Sequence, residues 1–227
     1  GVAELGQRCI LHNGQSDTCH LLKAEAHQLC GQAARGPPEQ KPLAALMVAE
    51  LMDSGGLGEG LLPMAYEAKL SGLVAPDATF LPCRLRVWAC VIELRASGSP
   101  YDGAELVAAR LGGVSLQPWL PYHEMKAYSS IDLHCAEYTA LTQEVLLFDA
   151  ALGDAPPPDA TLKLAACADG VANAVAWAWE VDLDTSKEPS SHLSNAARAP
   201  KTHWRQATHL LPRAQQRKVA PGEPLNL

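Results

Sequence analysis

The chain reads as an α/β unit followed by an all-β unit, and three observations carry that reading. Leu43 to Glu50 is apolar up to its last residue, as expected of a parallel strand buried on both faces. Leu61 to Val74 then repeats apolar residues at helical spacing (Leu62, Ala65, Tyr66, Leu70, Leu73). From Arg84 onward the signals are those of short strands. Ala174 to Asp184 is the clearest of them: Val175, Trp177, Trp179, Val181 and Leu183 alternate with Ala174, Ala176, Ala178, Glu180, Asp182 and Asp184. One set suits a core and the other water or a groove. Strand, loop, helix, strand is the later half of a doubly wound sheet, and the strands after it predict a barrel or sandwich.

Taken in order, Val2 to Leu11 reads as the end of a helix closed by the turn Asn13-Gly14. Cys19 to Leu22 offers a short buried strand, and Gly31 to Pro42 is a polar loop rich in breakers. Pro63 falls in the first turn of the Leu61 helix, where it is tolerated, and Ser71-Gly72 weakens the helix end. The character changes after Pro76. Arg84 to Leu94 is a strand with Val87, Trp88, Val91 and Ile92 suited to a half-buried surface. Ser97 to Ser130 has no strong period and many breakers, as an inserted excursion would. Short strands are expected within Ile131 to Leu152, Thr161 to Cys167, Val171 to Asp184 and Thr202 to Leu211, with Ala155-Pro-Pro-Pro-Asp159 as a surface connection. The division predicted is 1–82 and 83–227.

With 227 residues, 48% apolar and 19% charged, the chain is long enough to bury a sizeable core. A net charge of −7 does not suggest general nucleic-acid affinity and suits a basic partner better. No apolar run approaches the roughly 20 residues that span a bilayer. The first residues lack the basic start and apolar core of a signal peptide, and there is no initiator methionine, so the chain is expected to begin inside something larger. Seven cysteines without framework spacing favour reduced thiols in the cytoplasm or nucleus. Cys9, His12, Cys19, His20 and Cys30 raise a zinc question. No Cys-x-x-Cys or paired His motif occurs, so buried thiols, surface histidines and no metal are expected.

Two constellations carry chemistry. Met47-Val-Ala-Glu-Leu-Met-Asp-Ser-Gly-Gly-Leu-Gly-Glu-Gly60 places Glu50 at a strand end and Glu59 between glycines. In open α/β sheets, strand carboxyl ends are where ligands sit. A guanidinium is planar, permanently charged and presents five donors in a fork, so two carboxylates brought together by a reversal at Ser54-Gly55-Gly56 can grip it bidentately. The competing structural reading makes Glu50 a strand end and Glu59 a helix start favoured by the dipole. The second constellation is Thr202-His203-Trp204, where a histidine can position protons near neutrality and a tryptophan can wall a narrow slot. Its competing reading is a hydrogen-bonded histidine and a core tryptophan.

Together these motifs resemble the double-glutamate loop and the Thr-His-Trp loop of the protein arginine N-methyltransferases, in the same order. The resemblance covers nearly the whole chain. Ala3 to Gly14 is similar to the helix and turn after the cofactor's ribose site, Leu21 to His27 to the adenine-lining strand and loop, and Trp177 to Asp184 to the tryptophan-rich barrel strand. The form Glu-Leu-Met-Asp-Ser-Gly-Gly-Leu-Gly-Glu-Gly is most similar to the type III, monomethylating branch with its duplicated module. The resemblance implies the carboxyl-terminal part of a Rossmann-like S-adenosylmethionine methyltransferase domain, then a β-barrel with a dimerisation arm at about 97–130. It implies catalytic roles for Glu50 and Glu59. His203 and Trp204 would shape the arginine slot, Met52 would touch the sulfonium or guanidinium, and Glu25, Ala26 and His27 would line S-adenosylmethionine. It further implies Arg/Gly-rich or histone-like protein substrates and a dimer or intramolecular pseudo-dimer. The family's Gly-rich cofactor motif and ribose-binding acidic residue would precede residue 1, so these residues alone are expected to bind the cofactor poorly. Two alternatives stay open: a catalytically inactive dimerisation or scaffolding module, and an unrelated acidic α/β protein.

Overall fold

A computed structural model of the chain describes residues 1–35, 44–95, 110–111, 114–115, 128–186 and 188–226. Helix α1 spans Val2–His12 and ends at Asn13 and Gly14, the latter with φ 64°, as its turn signal requires. The strand expected at Cys19 to Leu22 is not formed. Leu22 stands 67% exposed, and a strand is stable only when an edge lies beside it to take its backbone groups. The loop expected from Gly31 is also corrected, because helix α2 runs Ala26–Arg35 straight through that glycine. Cys30 and Ala33 are buried on it, and burial of one face outweighs the modest cost of a mid-helix glycine.

Strand β1, Ala44–Val48, pairs in parallel with β2, Val74–Leu81, across helix α3, Leu61–Ser71. This is the predicted strand, loop, helix, strand order. Its burial differs from expectation, since β1 is largely exposed, with Leu46 at 51% and Val48 at 70%. The physical reason is the size of the sheet: among the described residues it has two strands. The register jumps from Ala44 opposite Val74 to Leu46 opposite Thr79. Pro76 lies inside that jump and has no N–H to give a ladder. Helix α3 stops at Ser71, short of the expected Val74, at the weak point the sequence marked: Gly72 is left-handed at φ 72° and Leu73 N–H donates back to the Ala68 carbonyl (3.0 Å).

The β-rich part is built on two long strands, β3 (Arg84–Leu94) and β11 (Ala174–Asp182), paired antiparallel from Ala174 opposite Ile92 to Asp182 opposite Arg84. Between them in sequence come β4 (Arg110–Leu111), β5 (Val114–Ser115), β6 (Ser129–Ile131), β7 (Tyr138–Ala140), β8 (Val145–Ala151), β9 (Lys163–Ala165) and β10 (Gly170–Ala172). After them come β12 (His192–Ser194), β13 (Gln206–Leu210), β14 (Arg217–Val219) and β15 (Pro224–Asn226). Among the described residues, pairing runs in the order β6–β13–β11–β3–β7, with β12 added to β11 and β8 to β3, and small pairs β9–β15 and β10–β14 beside it. Of the excursion expected at about 97–130, the hairpin β4–β5 and the start of β6 are described, and the arm itself lies outside the described residues.

Strand β11 corrects the sequence reading on one face. Trp179 and Val181 are core, at 0% and 2% exposed, as expected. Ala174 and Ala176, assigned to the water face, are buried too, at 0% and 3%, against Ile92, Leu94 and Ile131. The polar end of that face is an ion-pair belt: Arg86 grips Asp182 through both terminal nitrogens (2.9 and 2.7 Å), and Glu180 accepts from Trp88 Nε1 (3.0 Å) and Arg198 (2.6 Å). The alternation separated small from large residues rather than wet from dry. One core then joins both parts of the molecule, with Leu61, Leu62 and Ala65 of α3 packed into the cluster of Leu85, Val87, Trp179 and Val181. Among the described residues, no helix is long and apolar enough to cross a membrane.

Candidate functional site

The loop from Glu50 to Gly60 leaves the carboxyl end of β1 and enters α3. Asp53 folds it locally, with Oδ1 accepting from Gly55 N–H (3.0 Å) and Gly58 N–H (3.2 Å) and its carbonyl accepting from Gly56 N–H (3.1 Å). This is the side-chain-to-backbone turn for which aspartate is favoured. Gly56 is left-handed at φ 72°, and a Cβ there would stand 2.8 Å from Cδ1 of Trp179. Gly55 is similarly close to Tyr128, 2.8 Å from Cζ. Glycines therefore let aromatic rings of the β-rich part lie directly on the loop backbone.

Three successive loop carbonyls are held from that side. Met52 O accepts from Trp204 Nε1 (2.8 Å), Asp53 O from Trp179 Nε1 (2.9 Å) and Ser54 O from Asn195 Nδ2 (2.9 Å). The Tyr128 hydroxyl also donates to Asp53 Oδ2. Burial first, then that bond and the charges of Asp53 and Glu59, raise the Tyr128 pKa above its ordinary value, so the phenol stays a donor. Trp179 and Trp204 meet edge to face at 5.2 Å, Tyr128 and Trp177 at 4.9 Å, and the His203 ring lies 3.7 Å from that of Trp204.

The structure thus brings Met52, His203 and Trp204 together at one junction, flanked in sequence by Glu50 and Glu59. Both glutamates are exposed, and neither makes a hydrogen bond or ion pair among the described residues. The side chain of Met52 is corrected inward: the residue is 6% exposed and packs in the core, so what it offers the junction is its carbonyl. His203 is exposed and Trp204 half-buried. Glu25, Ala26 and His27 lie apart, at the start of α2. Glu25 is exposed and pairs with His27 Nδ1 at 3.3 Å, and no hydrogen bond or ion pair links these three to the loop among the described residues.

Sequence reasoning missed Asn195, Tyr128 and the indole bonds of Trp179. Asn195 lies between strands with no period to mark it, and Tyr128 falls in the stretch read as an excursion. The thiols also differ from expectation. All seven cysteines are free, but Cys9 and Cys19 are exposed, while Cys30 is buried. Their helix and loop are surface elements: α1 has no buried residue. Among the described residues, no group of three or more His, Cys, Asp or Glu is placed to hold a metal ion.

No family model matches the chain. An arginine N(omega)-methyltransferase of Streptomyces achromogenes subsp. streptozoticus is 27% identical over 228 residues, covering 100% of this chain and 58% of that protein. Protein arginine N-methyltransferase 7 of Rattus norvegicus is 25% identical over 244 residues, covering 98% of this chain and 34% of that protein. The chain therefore spans little more than half of the first relative and a third of the second. Among solved structures, the Trypanosoma brucei PRMT1 enzyme-prozyme heterotetrameric complex with AdoHcy matches with a TM-score of 0.67 at 16% identity, covering 99% of this chain and 67% of that one. This likeness establishes a shared fold, an α/β part followed by a strand-rich part.

Proposed function

We propose that this chain, which is related to the protein arginine N-methyltransferases, carries the arginine-gripping part of a methyltransferase acting on arginine side chains in proteins. The observation that carries the reading is the Glu50–Glu59 loop. Its backbone is fixed through Met52, Asp53 and Ser54, while neither of its two glutamates makes a hydrogen bond or ion pair among the described residues. Leaving two exposed carboxylates uncommitted on a rigid loop suits a cationic ligand better than a structural role. Residues 1–82 would form the methyltransferase-domain part and 83–227 the barrel part with its arm. Self-association is proposed alongside, in keeping with the heterotetrameric complex of the trypanosomal protein.

In this reading Glu50 and Glu59 accept the guanidinium N–H groups and hold one nitrogen toward the methyl donor. Trp204 walls the slot, and His203 at its rim is the candidate to take up the proton released when that nitrogen is alkylated. S-adenosylmethionine, when bound, supplies an electrophilic methyl group on sulfur. Glu25 fits one wall of its site, as a carboxylate that can accept from a hydroxyl or amino group, with Ala26 and His27 beside it. These residues are exposed and do not enclose an adenosyl group. The chain's own contribution is therefore to bind and orient the arginine, and the carboxylates also stabilise charge as the N–C bond forms.

The test measures transfer of labelled methyl from S-adenosylmethionine to an Arg-Gly-rich peptide by the protein in its complete reading frame. Glu50→Gln and Glu59→Gln are each expected to lower kcat/KM roughly 100-fold, the scale of losing one transition-state partner. A peptide with Lys in place of Arg is expected to remain unlabelled. Unchanged rates in both variants would remove the assigned roles. Self-association without any transfer by the unsubstituted protein would favour the scaffolding alternative.

A further inference from the structure

Asn195 is 1% exposed, and both its side-chain oxygen and its side-chain nitrogen are hydrogen-bonded. Its Oδ1 accepts from Trp179 N–H (2.7 Å), while Nδ2 donates both to the Ser54 carbonyl (2.9 Å) and to the Arg205 carbonyl (2.7 Å). Its own carbonyl accepts from the Gln206 side chain, whose Oε1 takes the Leu133 N–H (2.7 Å). One amide therefore touches three segments: the loop that carries Glu50 and Glu59, the segment directly after His203 and Trp204, and the central strand β11. Trp179 supplies a second tie from β11 to the loop through its indole, and Trp204 a tie from its own segment to the loop.

We infer that Asn195 is a positioning residue for the proposed reaction, fixing the two carboxylates relative to the His203-Trp204 segment so that the arginine slot has one width. The inference rests on the proposed function, and its geometry is specific. A carboxamide is the smallest side chain that gives one acceptor and two donors from one planar group. The two donors reach carbonyls 151 positions apart in sequence, Ser54 on the glutamate loop and Arg205 next to Trp204. Losing them leaves two carbonyls without this partner at a partly buried point, and each segment can then shift independently. Shifts of about 1 Å at such a site are enough to cost large factors in rate.

The experiment compares Asn195→Ala and Asn195→Asp in the complete protein by three measurements. Hydrogen exchange is expected to quicken at the amides of residues 53–58 and 203–206 together in Asn195→Ala, while β3 stays protected. For methyl transfer to the Arg-Gly-rich peptide, kcat is expected to fall at least tenfold and KM for peptide to rise, with KM for S-adenosylmethionine unchanged. Asn195→Asp keeps the shape but turns a donor into a repelling oxygen, and a buried carboxyl takes up its proton readily. Its activity relative to the unsubstituted protein is therefore expected to recover as pH is lowered, which Asn195→Ala cannot do. Faster exchange in only one of the two segments, or in neither, overturns the inference. So does an unchanged kcat with a merely lower melting temperature. If the unsubstituted protein transfers no methyl group, the proposed function fails, whereas the exchange measurement still decides whether Asn195 couples the two segments.

Discussion

Two strands of this molecule, β1 and β11, are similarly apolar and end in opposite conditions. Strand β1 reads Ala-Ala-Leu-Met-Val and is mostly exposed, in a pair with β2. Strand β11 reads Ala-Val-Ala-Trp-Ala-Trp-Glu-Val-Asp and is buried or half-buried throughout, paired along both edges, with β3 on one side and β13 and β12 on the other. The comparison teaches that composition sets what a strand can bury, and the number of neighbours sets what it does bury. It also locates rigidity. The candidate carboxylates stand on the loop that leaves the exposed pair, yet the groups that hold this loop, Trp179, Trp204, Asn195 and Tyr128, all come from the strand-rich part. The α/β part supplies the charges and the β-rich part fixes where they are.

That division is broken most directly at Trp179. Trp179→Ala removes a fully buried indole and its bond to Asp53, and is expected to destabilise by about 3–5 kcal/mol in chemical denaturation. A loss below about 1 kcal/mol would mean that the joint core does not bind the two parts together. A smaller effect is expected at Gly56. Gly56→Ala meets a left-handed backbone costing about 1–2 kcal/mol, with Trp179 Cδ1 2.8 Å from the new methyl group. Methyl transfer should fall further than stability here, because the loop itself must move. Equal losses in both would uncouple loop position from activity. The smallest effect sharpens the other side of the contrast: Leu46→Ser on β1 is expected to change the unfolding free energy by no more than about 0.5 kcal/mol, since the residue is already 51% exposed. A loss of several kcal/mol would show that β1 is covered in solution.

How far the sequence disclosed all this depended on whether a feature is local. The limits of β3 and the start of α3 were legible because periodicity and Pro63 act within a turn or two of themselves, while the helical period ran on to Val74, which instead begins β2. The turn between Glu50 and Glu59 was legible because Ser54, Gly55 and Gly56 write a reversal into the chain, whereas the bonds by which Asp53 closes it were not read. The failures were non-local. Helix α2 owes its passage through Gly31 to packing of Cys30 and Ala33, and the exposure of β1 depends on neighbours that its own residues do not specify. Tyr128 and Asn195 reach the loop across 75 and 141 positions, and nothing in their surrounding sequence marks the distance. Trp204 was found through a motif, but its bond to the Met52 carbonyl was not, because an indole that donates reads the same as one that only packs.

Two of the five tryptophans end in bonds to consecutive carbonyls of one loop, Trp204 on Met52 and Trp179 on Asp53. Indole emission depends on what the ring nitrogen meets and on how much water surrounds the ring. The protein therefore carries its own optical gauge, set at the point where the arginine would enter. Seating a cation between Glu50 and Glu59 would move the field at both rings without any dye being attached, and each ring can be silenced separately by a phenylalanine to learn which of the two bonds responds.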